Sequence, residues 1–244
     1  MKPIRITMWS GPRNISTAMM RSWENRADTM VVDEPLYGPY LYHSGKKHAA
    51  YKEIIEIQGK EYQPIIKALT EDTIPLEYNI YYQKHMAHHI MPNLDLSWVN
   101  KLTNVFLIRN PQFVLQSYLR KEPQASPEDL GYPQLVELFN LVKNETGITP
   151  AVFDSKDILL NPEPMMKKMC EFIQVDFDKN MMQWPKGYRD SDGVWASHWY
   201  NRVIESTGFS EYNPKIINLT NEEKQIAEAC EPYYQELLKY KITA

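Results

Sequence analysis

The sequence predicts an α/β domain, a parallel sheet with helices on both faces, and three observations carry that reading. Short apolar runs recur at residues 4–9, 29–32, 80–83, 104–108 and 151–153. Longer stretches with helical apolar spacing lie between them, at 16–25, 47–58, 62–69, 112–121, 134–144 and 164–173. Strands separated by helices need crossover connections, which make a sheet parallel and cover both of its faces. Finally, 244 residues with 43% hydrophobic and 24% charged side chains suit one domain with a real core, here residues 1–244, and exclude general disorder.

The first run leads into Gly11, Pro12, Arg13, Asn14, Ile15, Ser16 and Thr17 at a helix start. Free N–H groups of a helix N-terminus, the helix dipole and a guanidinium converge there, which is the physical recipe for an anion site. It is not a Walker loop, because the second glycine and the lysine of that pattern are replaced by other residues. The whole chain holds only nine glycines. A β-branched residue such as Ile15 enters positive φ at a cost, so the loop is expected to turn with ordinary dihedrals.

The second run ends in Asp33 and Glu34, followed by Pro35, Leu36 and Tyr37. Ligands of open α/β sheets bind outside the carboxyl ends of the strands, so both carboxylates are expected to face the same crevice as the first loop. After the third run come Lys84, His85, His88 and His89, which concentrate three of the six histidines in five residues. His85 and His89 at i, i+4 can share a helix face as metal ligands. No glutamate of the H-E-x-x-H type lies between them, and no metal is expected. The fourth run ends in Arg109, with Pro111 opening a helix and Ser117 eight residues after the arginine. A fixed cation at a strand end suits a phosphate.

Residues 178–219 carry three tryptophans and no clear period, and read as a long ordered lid or acceptor-binding region. A final amphipathic helix is expected over 221–240 with Thr220 as N-cap. Cys170 and Cys230 match no metal or redox spacing and read as buried thiols in a reducing compartment. A net charge of −4 argues against nucleic-acid binding by bulk charge and leaves room for a local basic pocket. No apolar run of signal or membrane-spanning length occurs, so a cytoplasmic protein without membrane attachment is expected.

Pro12-Arg13-Asn14-Ile15-Ser16-Thr17, together with Arg109-Asn110-Pro111 and Ser117 about 95 residues later, resembles the two cofactor motifs of the 3′-phosphoadenosine-5′-phosphosulfate (PAPS)-dependent sulfotransferases. The chain is most similar to the small bacterial branch of that family, in which segments like Asp33–Tyr37 and Asp192–Ala196 recur. Asn14 and Ile15 depart from the small residue and glycine of the family loop.

The resemblance implies a three-layer sulfotransferase fold, related to the P-loop nucleotide hydrolases, and transfer of the sulfuryl group of PAPS to a hydroxyl or amine of a small acceptor. It implies that residues 12–17 hold the 5′-phosphosulfate and that Arg109 and Ser117 hold the 3′-phosphate, with Arg189 in a late loop closing over it. Glu34 is the expected base, with Lys84, His85 and His88 as further catalytic candidates beside Arg13. Tyr37, Trp195, His198 and Trp199 are expected to wall the acceptor. Arg13, Lys84, Arg109 and Arg189 are thus expected to converge on one anionic cofactor. Two alternatives stay open: a metal-dependent nucleotide kinase or triphosphatase using Asp33 for Mg²⁺, and a non-catalytic nucleotide binder.

Overall fold

Each apolar run forms a strand in the computed structural model, which describes residues 3–213 and 216–244. The strands are β1 (Ile4–Ser10), β2 (Thr29–Asp33), β3 (Ile80–Met86), β4 (Thr103–Ile108) and β5 (Ala151–Asp154). They pair in the order β2-β3-β1-β4-β5, and every pairing is parallel. From the central β1 the chain steps outward to β2 on one side and later to β4 and β5 on the other. The connections therefore diverge at β1, and a crevice opens at its carboxyl end, between the ends of β3 and β4.

The helices are α1 (Ser16–Glu24), α2 (Tyr37–Ser44), α3 (Tyr51–Gln58), α4 (Tyr62–Thr70), α5 (Pro111–Tyr118), α6 (Pro127–Leu130), α7 (Tyr132–Thr146), α8 (Ser155–Leu160), α9 (Pro162–Ile173), α10 (Ala196–Trp199), α11 (Asn201–Ile204) and α12 (Asn221–Leu238). Alternation along the strands sends Ile6, Met8, Val105 and Leu107 to one face, where they pack with Met19 and Trp23 of α1 and Met165 and Met169 of α9. Trp9, Phe106 and Ile108 go to the other face, against Leu69 of α4, Leu115 of α5, Phe139 of α7 and Leu237 of α12. The expected three layers result.

Thr220 caps α12 in a reciprocal box with Glu223, as its position predicts. Both cysteines are buried free thiols. No helix among the described residues is long and apolar enough to cross a membrane.

Two differences bear on the site. β3 runs on to Met86, so Lys84 and His85 lie inside a strand and not in a turn after it. The 178–219 region, of which residues 214–215 lie outside the described residues, contains α10 and α11. Residues 183–208 of it form a closed excursion, tied at its base by an antiparallel bridge between Gln183 and Gly208 and the bond from Trp184 N to Thr207 O at 3.1 Å. Trp195, Ala196 and Tyr200 of this segment pack on Tyr37, Tyr40 and Leu41 of α2, which covers one side of the crevice.

Candidate functional site

A cavity of about 610 Å³ occupies the crevice at the carboxyl end of the sheet. Residues 12–18 form one wall, wrapping the N-terminus of α1. Ile15 is the N-cap residue of α1 and offers no side-chain acceptor, so the first-turn N–H groups remain available to an anion. The expectation of ordinary dihedrals fails here. Arg13 and Ile15 both adopt left-handed backbone, with φ of 57° and 50°. For a β-branched residue this costs about 1–2 kcal/mol. The strain is held from β4: Arg109 Nη1 donates to the carbonyl of Arg13 at 2.7 Å, and Asn14 Nδ2 donates to the carbonyl of Leu107 at 2.6 Å. At the start of the loop Gly11 must lack a side chain, because a Cβ there would lie 2.4 Å from the carbonyl oxygen of Leu130.

The two motifs that lie far apart in sequence are in direct contact. Arg13 Nε donates to Ser117 Oγ at 3.0 Å, and its Nη1 donates to the carbonyl of Trp199 at 3.3 Å. Arg109, Ser117 and Arg202 line the same end of the cavity, together with Lys156. Among the described residues, Arg13, Arg109 and Arg202 have no carboxylate partner within ion-pair distance. Burial lowers the Arg13 pKa, and repulsion from Arg202, Arg109 and Arg120 lowers it further. A cluster of guanidinium groups beside uncapped helix donors suits an anion bearing phosphate or sulfate groups.

At the other end, the carboxylates that follow β2 are tied to β3. Lys84 Nζ donates to Asp33 Oδ1 at 2.8 Å, to Glu34 Oε1 at 2.5 Å and to the Tyr200 hydroxyl at 2.7 Å. Asp33 also accepts from Tyr200 OH on both oxygens and from Gly193 N. It does not line the cavity and has no oxygen left for the Mg²⁺ role that the kinase alternative assigns it. Glu34 does line the cavity, in a left-handed conformation (φ 42°) fixed by Glu34 N donating to Lys84 O and by Gln58 Nε2 donating to Glu34 O. Burial, reinforced by the Asp33 charge, raises the Glu34 pKa against the opposing pull of Lys84. For Lys84 burial acts downward, but the two carboxylates outweigh it and its pKa rises.

The remaining candidates divide. Tyr37, His88 and Trp199 line the cavity. His85 does not: the extended β3 turns it to the opposite face, where it packs between Trp9 and Trp98 at centroid distances of 4.6 and 6.0 Å. His85 and His89 therefore share no helix face. Trp195 and His198 stand behind the wall, Trp195 giving its Nε1–H to the Tyr200 hydroxyl at 3.1 Å. Arg189 is also outside the cavity, with its Nε 3.9 Å from Glu24 and its backbone N–H bonded to Asp192. The late cation at the mouth is Arg202, and the late hydroxyl on the carboxylates is Tyr200. Their only sequence signal is their place in the aromatic segment after Trp195.

Residues 4–240 match the family model described as a sulfotransferase domain. Two Arabidopsis thaliana proteins, named branched-chain-amino-acid aminotransferase-like proteins 1 and 2, are similar in sequence. The first is 32% identical over 209 residues, 86% of this chain and 37% of its own length. The second is 29% identical over 234 residues, 95% of this chain and 41% of its own. The chain thus spans less than half the length of these curated relatives. Among solved structures, the sulfotransferase domain from the curacin biosynthetic pathway superposes with a TM-score of 0.54 at 14% identity, covering 94% of this chain and 98% of that one. A sulfotransferase from Alicyclobacillus acidocaldarius gives a TM-score of 0.54 at 8% identity over 98% and 96% of the two chains. At such identities the likeness is one of fold, and it agrees with the parallel sheet and its crevice. With the family model spanning all five strands and both motifs, the chain belongs to the sulfotransferase domain family.

Proposed function

We propose that the chain is a cytoplasmic enzyme that moves the sulfuryl group of PAPS to a hydroxyl or amine of a small acceptor. The observation that carries this reading is the convergence of two unneutralised cationic motifs and a buried carboxylate on one cavity. When bound, PAPS supplies an activated sulfuryl group: a bond forms from the acceptor oxygen or nitrogen to sulfur, the sulfur–oxygen bond to adenosine 3′,5′-bisphosphate breaks, and the acceptor releases a proton.

Arg13, Ser16, Thr17 and the backbone donors of residues 13–17 hold the phosphosulfate, with Pro12 leading into the loop. Arg109 and Ser117 hold the 3′-phosphate, with Arg202 in the role first expected of Arg189. Glu34 takes the proton at Oε2, since Oε1 is engaged by Lys84, and a raised pKa makes it a stronger base than an ordinary carboxylate. Lys84 orients that carboxylate and compensates its charge. His88, pushed down to about 3 chiefly by burial, is too weak a base to compete and serves as a neutral wall. The chemistry is one of positioning and charge stabilisation, by analogy with phosphoryl transfer.

Titration calorimetry with adenosine 3′,5′-bisphosphate and with ATP, each with and without Mg²⁺, tests the cofactor. The bisphosphate is expected to bind more tightly, and less tightly in Arg109→Ala. Tighter binding of ATP with Mg²⁺ overturns the reading in favour of a kinase or triphosphatase.

A further inference from the structure

The acceptor end of the cavity differs in chemistry from the cofactor end, and the difference constrains what is sulfated. Its charged groups are already satisfied. Lys84 is surrounded by Asp33, Glu34 and Tyr200, so among the described residues no free cation remains there to hold an acidic acceptor. Both Asp33 oxygens accept from protein donors and Glu34 Oε1 accepts from Lys84. Only Glu34 Oε2 is left, and under the proposed reaction it takes the nucleophile's proton. Among the described residues no carboxylate at this end is then available for a separate ammonium group; Asp154, which also lines the cavity, lies toward Arg109.

The polar groups that do remain are neutral. His88 and His89 line the cavity at 7% and 2% exposure; among the described residues the buried Nδ1 atom of each has no hydrogen-bond partner and neither Nε2 makes a hydrogen bond, His89 Nε2 lying 3.9 Å from Glu34 Oε2. A buried imidazole nitrogen without a partner is costly and invites one. His89 is stacked on Tyr37 and Tyr40 at centroid distances of 4.5 and 4.8 Å, which fixes its ring, and His88 meets Tyr40 edge-on at 5.3 Å. Next to them, His48 Nδ1 and the Tyr37 hydroxyl are already paired at 2.8 Å. Burial holds all three imidazoles in the neutral form, so each offers one donor and one acceptor nitrogen. Tyr118 and Trp199, stacked on each other at 6.2 Å, supply aromatic surface for an apolar face.

We propose that the acceptor is an uncharged, multiply hydroxylated molecule, with one hydroxyl presented to Glu34 as the nucleophile and another held by the unpartnered imidazoles of His88 and His89. This rests on the sulfuryl-transfer reading above. In the reaction, the acceptor O–H gives its proton to Glu34 Oε2, its oxygen bonds to sulfur, and adenosine 3′,5′-bisphosphate leaves with the electrons of the broken bond.

Four acceptors built on one ring test it: cyclohexanol, a vicinal cyclohexanediol, an aminocyclohexanol and a hydroxycyclohexanecarboxylate, each assayed for transfer of labelled sulfate from PAPS. The diol is expected to show a kcat/KM about tenfold above cyclohexanol, the scale of one added hydrogen bond. The ammonium and carboxylate analogues are expected to fall below the diol. His88→Leu should bring the diol-to-alcohol ratio to within about twofold, and His88→Asn, which keeps a donor and an acceptor, should retain most of it. The wild-type ranking stands as a test even if both variants fold poorly. A charged analogue ranking first, or cyclohexanol equal to the diol, overturns the acceptor class and leaves the transfer reading intact. Transfer to none of the four overturns the acceptor class as stated. Failure of the bisphosphate to bind overturns the transfer reading as well.

Discussion

The two ends of the cavity handle charge in opposite ways. At the mouth, Arg13, Arg109 and Arg202 stand together with no carboxylate among the described residues near enough to pair, and burial, then repulsion, lowers the Arg13 pKa. At the floor, Lys84 is buried among two carboxylates and a hydroxyl, and its charge is fully compensated within the protein. The first arrangement is complete only when an anion arrives. The second is complete already and leaves a single carboxylate oxygen facing the cavity. Under the proposed reaction the binding end is the one whose charge the protein does not neutralise, and the proton-transfer end the one whose charge it does.

The largest effect expected from breaking this contrast is at Glu34. Glu34→Gln removes the base but keeps the shape, and transfer should fall by about 10²–10⁴-fold while bisphosphate binding stays within about twofold of wild type. A parallel loss of binding would show that the two ends are not separable. The intact enzyme should also lose activity on acidification at a pH above the ordinary glutamate value. Burial and Asp33 raise the Glu34 pKa, so its basic form disappears as the pH falls through that raised value. A pH profile of kcat/KM with an acid limb at or below the ordinary value contradicts this.

Lys84→Met comes next. It strips the compensating cation from two buried carboxylates and should cost about 3–5 kcal/mol of stability, read by denaturant unfolding. The sign of the pH effect follows from Glu34, whose folded-state pKa would rise further without Lys84. The variant should be least unstable at acid pH, where Glu34 is protonated, and lose stability as the pH rises through that pKa. A loss below about 1 kcal/mol would mean that the floor is not held by charge compensation.

Arg109→Ala tests the mouth. Removing a charge-assisted contact should weaken adenosine 3′,5′-bisphosphate by about 1.5–3 kcal/mol, and this loss should shrink at high salt. The smallest effect concerns the loop itself. Ile15→Gly gives up a half-buried side chain that packs on the core but releases left-handed strain of about 1–2 kcal/mol. The net change in unfolding free energy should stay within about 1 kcal/mol. A loss beyond 2 kcal/mol would show that the conformation is not strained.

Much of the mouth was legible in the sequence because its signals are local. A strand end, a helix start and the Arg109–Ser117 spacing each lie within a few residues, and strand order then brings them together. The floor was harder to read. Extending β3 by three residues reversed the face of His85, since side chains alternate along a strand, and no local signal fixed where that strand stops. Ile15 was misread because propensity forbids its conformation, while contacts from Arg109 and Asn14 to distant carbonyls enforce it. Arg189 and Arg202 sit in the same aromatic segment. Only the docking of that segment, through Tyr200 on Asp33 and Lys84, decides which cation reaches the cavity. Such long-range choices leave no period to read.

In the proposed reaction one anionic sulfuryl donor bridges the unneutralised mouth and the compensated floor. The most direct test is transfer of labelled sulfate from PAPS to a hydroxylated acceptor, measured for the wild type and Glu34→Gln at equal donor occupancy. Transfer by the wild type is expected, with a loss of at least about a hundredfold in the variant and donor binding preserved. Equal rates in the two proteins, or no transfer by a wild type that binds the donor, would contradict it.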